Sequence, residues 1–127
     1  MEIDEKEQIK IAKMVLKAYT TGNFEELFPF MIDDYEHSSF WVFDTLTGKD
    51  ACIKYYKRIG KAIQKGSMPK GFIVKLKSSL DGIAVILEQE IDNKITRVLI
   101  IPTLTENELL KSILVTEPGL FHFETLE

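Results

Sequence analysis

One cysteine in 127 residues excludes an internal disulfide and any multi-cysteine zinc site. That residue, Cys52, falls on the apolar stripe of a predicted helix, where a small buried thiol is the expected role rather than a nucleophile. Histidine is nearly as scarce. His37 and His122 lie far apart, and with a lone cysteine they leave no recognisable metal-ligand spacing, so no cofactor is expected. Glycine-rich phosphate loops and Gly-x-Ser-x-Gly elbows are missing too. No apolar run approaches the length of a membrane span, and the opening MEIDEKEQIK carries acids where a secretory signal needs positive charge. A cytoplasmic protein without a membrane partner is the expectation. Basic residues are outnumbered, 16 against 20 acids, giving a net charge of −4 and a pI near 5.3. That balance argues against nucleic acid as a partner, because phosphate binding draws on Lys and Arg.

What is present suffices for a core. The hydrophobic fraction of 45% and charged fraction of 28% are those of an ordinary globular chain, and residues 1–127 have the size of one domain. From Glu5 to Thr20, Ile9, Ala12, Leu16 and Tyr19 recur at helical spacing, flanked by Ile11, Val15 and Ala18. Thr21-Gly22-Asn23 stops this helix. Asn23 then serves as N-cap of a short second helix running to about Leu27 or Phe28, with Glu25 and Glu26 in its first turn and Pro29 ending or bending it. The stretch DYEHSSFWVF, 34–43, reads as a strand with Tyr35, His37, Ser39 and Trp41 on one face. DTLTGKD then forms a turn before a third helix, about Lys49 to Gln64, striped with Cys52, Tyr55, Tyr56, Ile59, Ala62 and Ile63. Lys54, Lys57, Arg58, Lys61 and Lys65 line its other side as a solvated face.

The second half reads as an antiparallel meander. Turns at Asp81-Gly82 and Asp92-Asn93 set Leu76 beside Leu87 beside Val98 on a face toward the helices, and Lys75 beside Glu88 beside Arg97 on the opposite face. That second face mixes a charge ladder with aliphatics, which points to a homodimer formed through it. A further loop at Glu106-Asn107 brings residues 108–117 alongside, with Leu109, Ile113 and Val115 inward and Glu117 near Thr96 and Gln89. GLFHFE suits a last strand or a tail packed against a partner. Helices first and strands later make an α+β fold.

The strings AYTTGNFEEL (18–27), TGKDACIKYYKRI (47–59) and ITRVLIIPTLTENELLKSILV (95–115), in this order of elements, resemble the nuclear transport factor 2-like, or SnoaL-like, superfamily. The resemblance covers nearly the whole chain through loose motifs and implies a cone of N-terminal helices on a curved antiparallel sheet, a cystatin-like roll around a pocket. It does not imply one activity, since the superfamily holds isomerases, dehydratases, cyclases, transport adaptors and the association domain of calcium/calmodulin-dependent kinase II. Its ketosteroid isomerase branch keeps a general-base Asp about where Ser39 falls, and Ser39, Phe40 and Trp41 offer no carboxylate. The cyclase and dehydratase branches use His and Asp pairs, and His37 lies on the corresponding element with Glu117 as an acid candidate by geometry alone.

The leading expectation is a protein that binds an unidentified small molecule in a cone lined by Tyr19, Tyr35, His37, Trp41, Tyr55, Tyr56 and Glu117. The plainer reading is that these aromatics only fill the cone. An association module using Ile86, Ile95, Leu99 and Ile101 is the alternative, and a cofactor-free isomerase or dehydratase with His37 as its acid or base is the third.

Overall fold

Asp4 starts the first helix, its carboxylate accepting a hydrogen bond from the Lys6 amide (3.0 Å) with Glu5 and Glu7 behind it in the first turn. The computed structural model describes residues 4–39, 42–66, 69–77 and 81–126. Helix α1 spans Glu5–Thr21 and buries Ile11, Ala12, Val15, Ala18 and Tyr19, the broad face that the spacing predicts. It ends at Gly22, whose φ of 81° is left-handed and whose amide donates to the Ala18 carbonyl. The second element is a 3-10 turn over Glu25–Phe30, which continues through Pro29 to Phe30. Asn23 does accept a bond from the Glu25 amide (3.1 Å). Helix α2 spans Lys49–Lys65 and buries Cys52, Tyr56 and Gly60.

The described residues of DYEHSSFWVF fall in two strands, not one. Strand β1, Met31–Ser39, pairs antiparallel with β2, Val42–Thr47, so most of the predicted DTLTGKD turn is strand, and His37 stands opposite Leu46. The remaining strands are β3 (Lys70–Lys77), β4 (Asp81–Ile91), β5 (Lys94–Leu104), β6 (Leu110–Thr116) and β7 (Phe123–Thr125). They form a sheet in the order β2-β1-β6-β5-β4-β3-β7. The β1–β6 pair is parallel, so the curved sheet is mixed rather than wholly antiparallel. The α+β class stands, with the helices packed on one face of the sheet.

The predicted β4–β5 register holds. Asp92 and Asn93 both take positive φ, as a two-residue hairpin turn requires, and they set Leu87 opposite Val98 and Glu88 opposite Arg97. The β3–β4 register does not. Asp81 and Gly82 belong to β4, Leu76 pairs with Gly82, and Ile73 pairs with Val85, which turns β3 over. Leu76 therefore leaves the helix face, and Lys75 leaves the charge ladder to meet Glu5 of α1 at 3.4 Å. The cause lies in Phe72-Ile73-Val74: with apolar residues on both faces, alternation cannot say which face goes inward. The next strand shifts as well. A bulge at Thr103/Leu104 places Leu110 in the core in place of Leu109, which is exposed.

Two apolar clusters result. Beneath the helices lie Ile73, Ile83, Val85, Leu87, Ile100, Leu110 and Ile113 with the α1 face. On the opposite face Val74, Leu76, Ala84, Ile86 and Leu99 are buried, with Phe72, Ile101 and Phe121 partly buried against them. After β6 the chain makes a 3-10 turn at Pro118–Leu120 beside β5, then pairs as β7 with the outer edge of β3. The C-terminal segment thus crosses the outer face and packs Phe121 onto it. Ile86 and Leu99, expected to be available to a partner subunit, are buried within their own chain; Ile95, 70% exposed, is available. No helix among the described residues is long and apolar enough to cross a membrane.

Candidate functional site

Alternation along β1 points Tyr35 and His37 into the space between sheet and helices, where they are 0% and 4% exposed. The amide of Gly48 donates to the Tyr35 carbonyl (2.7 Å), which ties the start of α2 to this strand and brings Tyr55 and Tyr56 over it. Cys52, one turn earlier on α2, points its thiol at the Leu46 carbonyl (3.6 Å) and is buried. Tyr19 comes from the last turn of α1, and Phe24 from the bend that follows.

Tyr56 is the hub. Its hydroxyl lies 2.6 Å from that of Tyr35 and 2.8 Å from Nδ1 of His37. Its ring stacks on Phe24 at 4.9 Å and meets the His37 ring edge-on at 5.3 Å. Tyr19 packs edge-on to Phe24 (4.9 Å), and Tyr55 lies tilted against His37 (4.9 Å). A hydroxyl has one proton, so Tyr56 donates to one neighbour and accepts from the other. If Tyr56 donates to Nδ1, Tyr35 donates to Tyr56, and Nε2 of His37 is left carrying the ring proton. In either arrangement Nε2 of His37 is buried without a partner in the described structure.

Burial sets the protonation states. It lowers His37 to about 4, so the imidazole is neutral near pH 7. It pushes Tyr19, Tyr35 and Tyr56 upward, so their hydroxyls keep their protons, and it raises Tyr55 against the pull of the Arg58 guanidinium. The Tyr56 hydroxyl pulls Tyr19 downward against the larger effect of burial, and among the described residues the buried Tyr19 hydroxyl makes no full hydrogen bond. Among the described residues no group of three or more His, Cys, Asp or Glu side chains is arranged to hold a metal.

Removing the hub should cost more than removing an arm. Tyr56→Phe strands both the Tyr35 hydroxyl and Nδ1, an expected loss of about 3 kcal/mol, whereas Tyr35→Phe leaves the Tyr56–His37 bond intact and should cost about 1 kcal/mol. Urea denaturation of the two variants decides the order, and equal losses would mean that Tyr56 does not bridge.

Of the residues singled out in the sequence, Tyr19, Tyr35, His37, Tyr55 and Tyr56 converge here. Trp41 lies outside the described residues. Glu117 does not join them: it is exposed just beyond β6, because the observed pairing sets Thr116 opposite Leu99 and so shifts the strand past the register that placed Glu117 near Thr96. The interacting groups seen around His37 are thus tyrosines and not a carboxylate. Phe24, which completes the aromatic stack, carries no distinguishing signal in the sequence beyond its place in TTGNFEEL.

No family model matches the sequence, and no curated protein matches it. Solved structures do. A de novo designed protein with a curved β-sheet is similar at TM-score 0.65 and 16% identity, over 93% of this chain and 91% of that one. A designed NTF2 protein with a long sheet is similar at TM-score 0.63 and 9% identity, over 85% of this chain and 98% of that one. An NTF2-like protein of unknown function from Cytophaga hutchinsonii ATCC 33406 is similar at TM-score 0.61 and 18% identity, over 87% of this chain and 96% of that one. The chain therefore has the nuclear transport factor 2-like fold, as its sequence resemblance implies.

Proposed function

We propose that this protein binds a small neutral molecule inside the cone, at the Tyr19–Tyr35–His37–Tyr56 cluster. The observation that carries the reading is that, among the described residues, two buried polar atoms have no hydrogen-bond partner, Nε2 of His37 and the hydroxyl of Tyr19. A buried polar atom without a hydrogen bond costs free energy, so a site that keeps two of them is suited to a guest that supplies the missing bonds. The cluster specifies the guest's character. Its aromatic rings favour a flat apolar body, and its protonated tyrosines and neutral histidine favour an uncharged acceptor such as a carbonyl. Catalysis is less well supported: a histidine held neutral down to about pH 4 is a weak base, and its observed neighbours are tyrosines.

Thermal unfolding with acetophenone and benzamide as neutral probes, and benzoate as the charged control, tests the reading. Saturating neutral probe should raise the midpoint by several degrees, since a ligand at a hundred times its Kd adds about 2.7 kcal/mol. The rise should vanish in a Tyr19→Phe/His37→Asn variant. No rise with either neutral probe, an undiminished rise in the variant, or a preference for benzoate would each overturn the proposal.

The exposed Ile95 favours a second reading, association of copies through the sheet's outer face. A dimer at micromolar concentration in sedimentation supports it, and a monomer there dismisses it.

A further inference from the structure

Helix α2 carries Lys49, Lys54, Lys57, Arg58, Lys61 and Lys65 against one acid, Asp50, in a chain whose acids outnumber its bases. Lys54 and Arg58, Lys57 and Lys61, and Lys61 and Lys65 stand four residues apart, so like charges face each other on adjacent turns. That spacing weakens a helix, whereas alternating signs would strengthen it, and a face that is merely solvated has no need of the repulsion. Nor is the charge neutralised by neighbours. The ion pairs seen among the described residues run from Glu5 to Lys75, Glu7 to Lys10, Glu26 to Lys17, Glu88 to Arg97 and Glu124 to Lys77, and none draws on α2. Arg58 is steadied over the Tyr55 ring at 5.4 Å.

Beside this basic face a groove of about 380 Å3 opens between the end of α1 and α2. Phe28 is its partly exposed apolar wall, with the buried Phe24 and Tyr56 beneath it; Asn23, Gln64, Lys57 and Lys61 line it too, and Glu25 is the one acid along it. The same two lysines belong to a shallower trough of about 570 Å3 with Lys54, Arg58 and Lys65. The two recesses share Lys57 and Lys61, so the Phe28 wall of the first adjoins the cation track of the second.

We propose that this surface docks an acidic polypeptide segment, its carboxylates along Lys54–Lys65 and one aromatic or aliphatic side chain against Phe28 in the adjoining recess. Charge complementarity selects the acid, and the adjoining recess selects a chain with an apolar anchor. A bilayer would need apolar side chains that protrude and insert, whereas these line a recess. Single-stranded nucleic acid would need an open aromatic face for stacking, and the Tyr55 ring is covered by Arg58.

The test is fluorescence anisotropy with fluorescein-labelled 12-residue peptides of Glu and Ser, carrying Leu or Phe at a central position. Binding should weaken at least about tenfold with the Lys57→Glu/Lys61→Glu protein, weaken as the salt concentration rises, and weaken about fivefold when the central residue of the peptide is Ser. Lys61→Glu alone should raise the thermal midpoint while weakening the peptide, because it relieves repulsion within α2; a merely structural surface would not separate those two readouts. The proposal is overturned if no peptide binds the wild-type protein, if charge reversal leaves binding unchanged, or if phosphatidylserine vesicles or oligo-deoxythymidine bind more tightly than the peptides.

Discussion

Gly60→Ala should lower the stability of the folded chain by about 3 kcal/mol, although alanine is the better helix former by about 1 kcal/mol. Gly60 sits in the middle of α2, where propensity alone calls for any other small residue. The end of α1 lies across it. A Cβ built on Gly60 would overlap the carbonyl oxygen of Gly22, and a Cβ on Gly22 would overlap the carbonyl of Gly60. Both obstacles are backbone, so no rotamer change relieves them and the two helices must move apart. That movement would loosen Phe24, which lies close to the contact and stacks on Tyr56. Gly22→Ala should be at least as damaging, since its φ of 81° adds left-handed strain to the overlap. Urea denaturation measures both. An alanine at 60 that is neutral or stabilising would show that the helices do not approach this closely.

The second large effect is on the dependence of stability on pH. Burial lowers His37 from its ordinary 6.5 to about 4, so between those values the unfolded chain binds a proton that the folded chain refuses. Stability should therefore fall as the pH drops from about 6.5 to about 4, with about 3 kcal/mol attributable to this one residue at the lower end. The informative quantity is the difference between the wild-type protein and His37→Asn, whose amide can take the place of Nδ1 opposite Tyr56. The wild type should lose more stability across that window. Identical slopes would mean that His37 is solvated in the folded state and that its Nε2 is not an orphan.

Both effects bear on the proposed site, and they show how much of it could be read along the chain. Periodicity two placed Tyr35 and His37 on one face, and periodicity 3.6 placed Tyr19, Tyr55 and Tyr56 on apolar helical stripes, so most of the cluster was visible as separate residues. Their convergence around Tyr56, whose hydroxyl bonds Tyr35 and His37, was not. It depends on the Gly22–Gly60 contact and on the bond from the Gly48 amide to the Tyr35 carbonyl, both of which join segments distant in sequence. Glu117 failed for a related reason: the turn closed by the Thr105–Leu109 bond is one residue longer than Glu106-Asn107, and the bulge at Thr103/Leu104 adds a second shift that no local pattern announces.

The sequence by itself determined the helices, the α+β order, the Asp92-Asn93 turn with its β4–β5 pairing, and the class of residue available to the interior. Each rests on interactions between near neighbours or on strict alternation. Only the tertiary structure decided which face of β3 turned inward, that β6 runs parallel to β1, and that the outer sheet face is crossed by the chain's own C-terminus. Phe72-Ile73-Val74 satisfies either face equally, so the choice falls to the packing of distant segments, where burial of the whole set outweighs the turn preference of Asp81-Gly82.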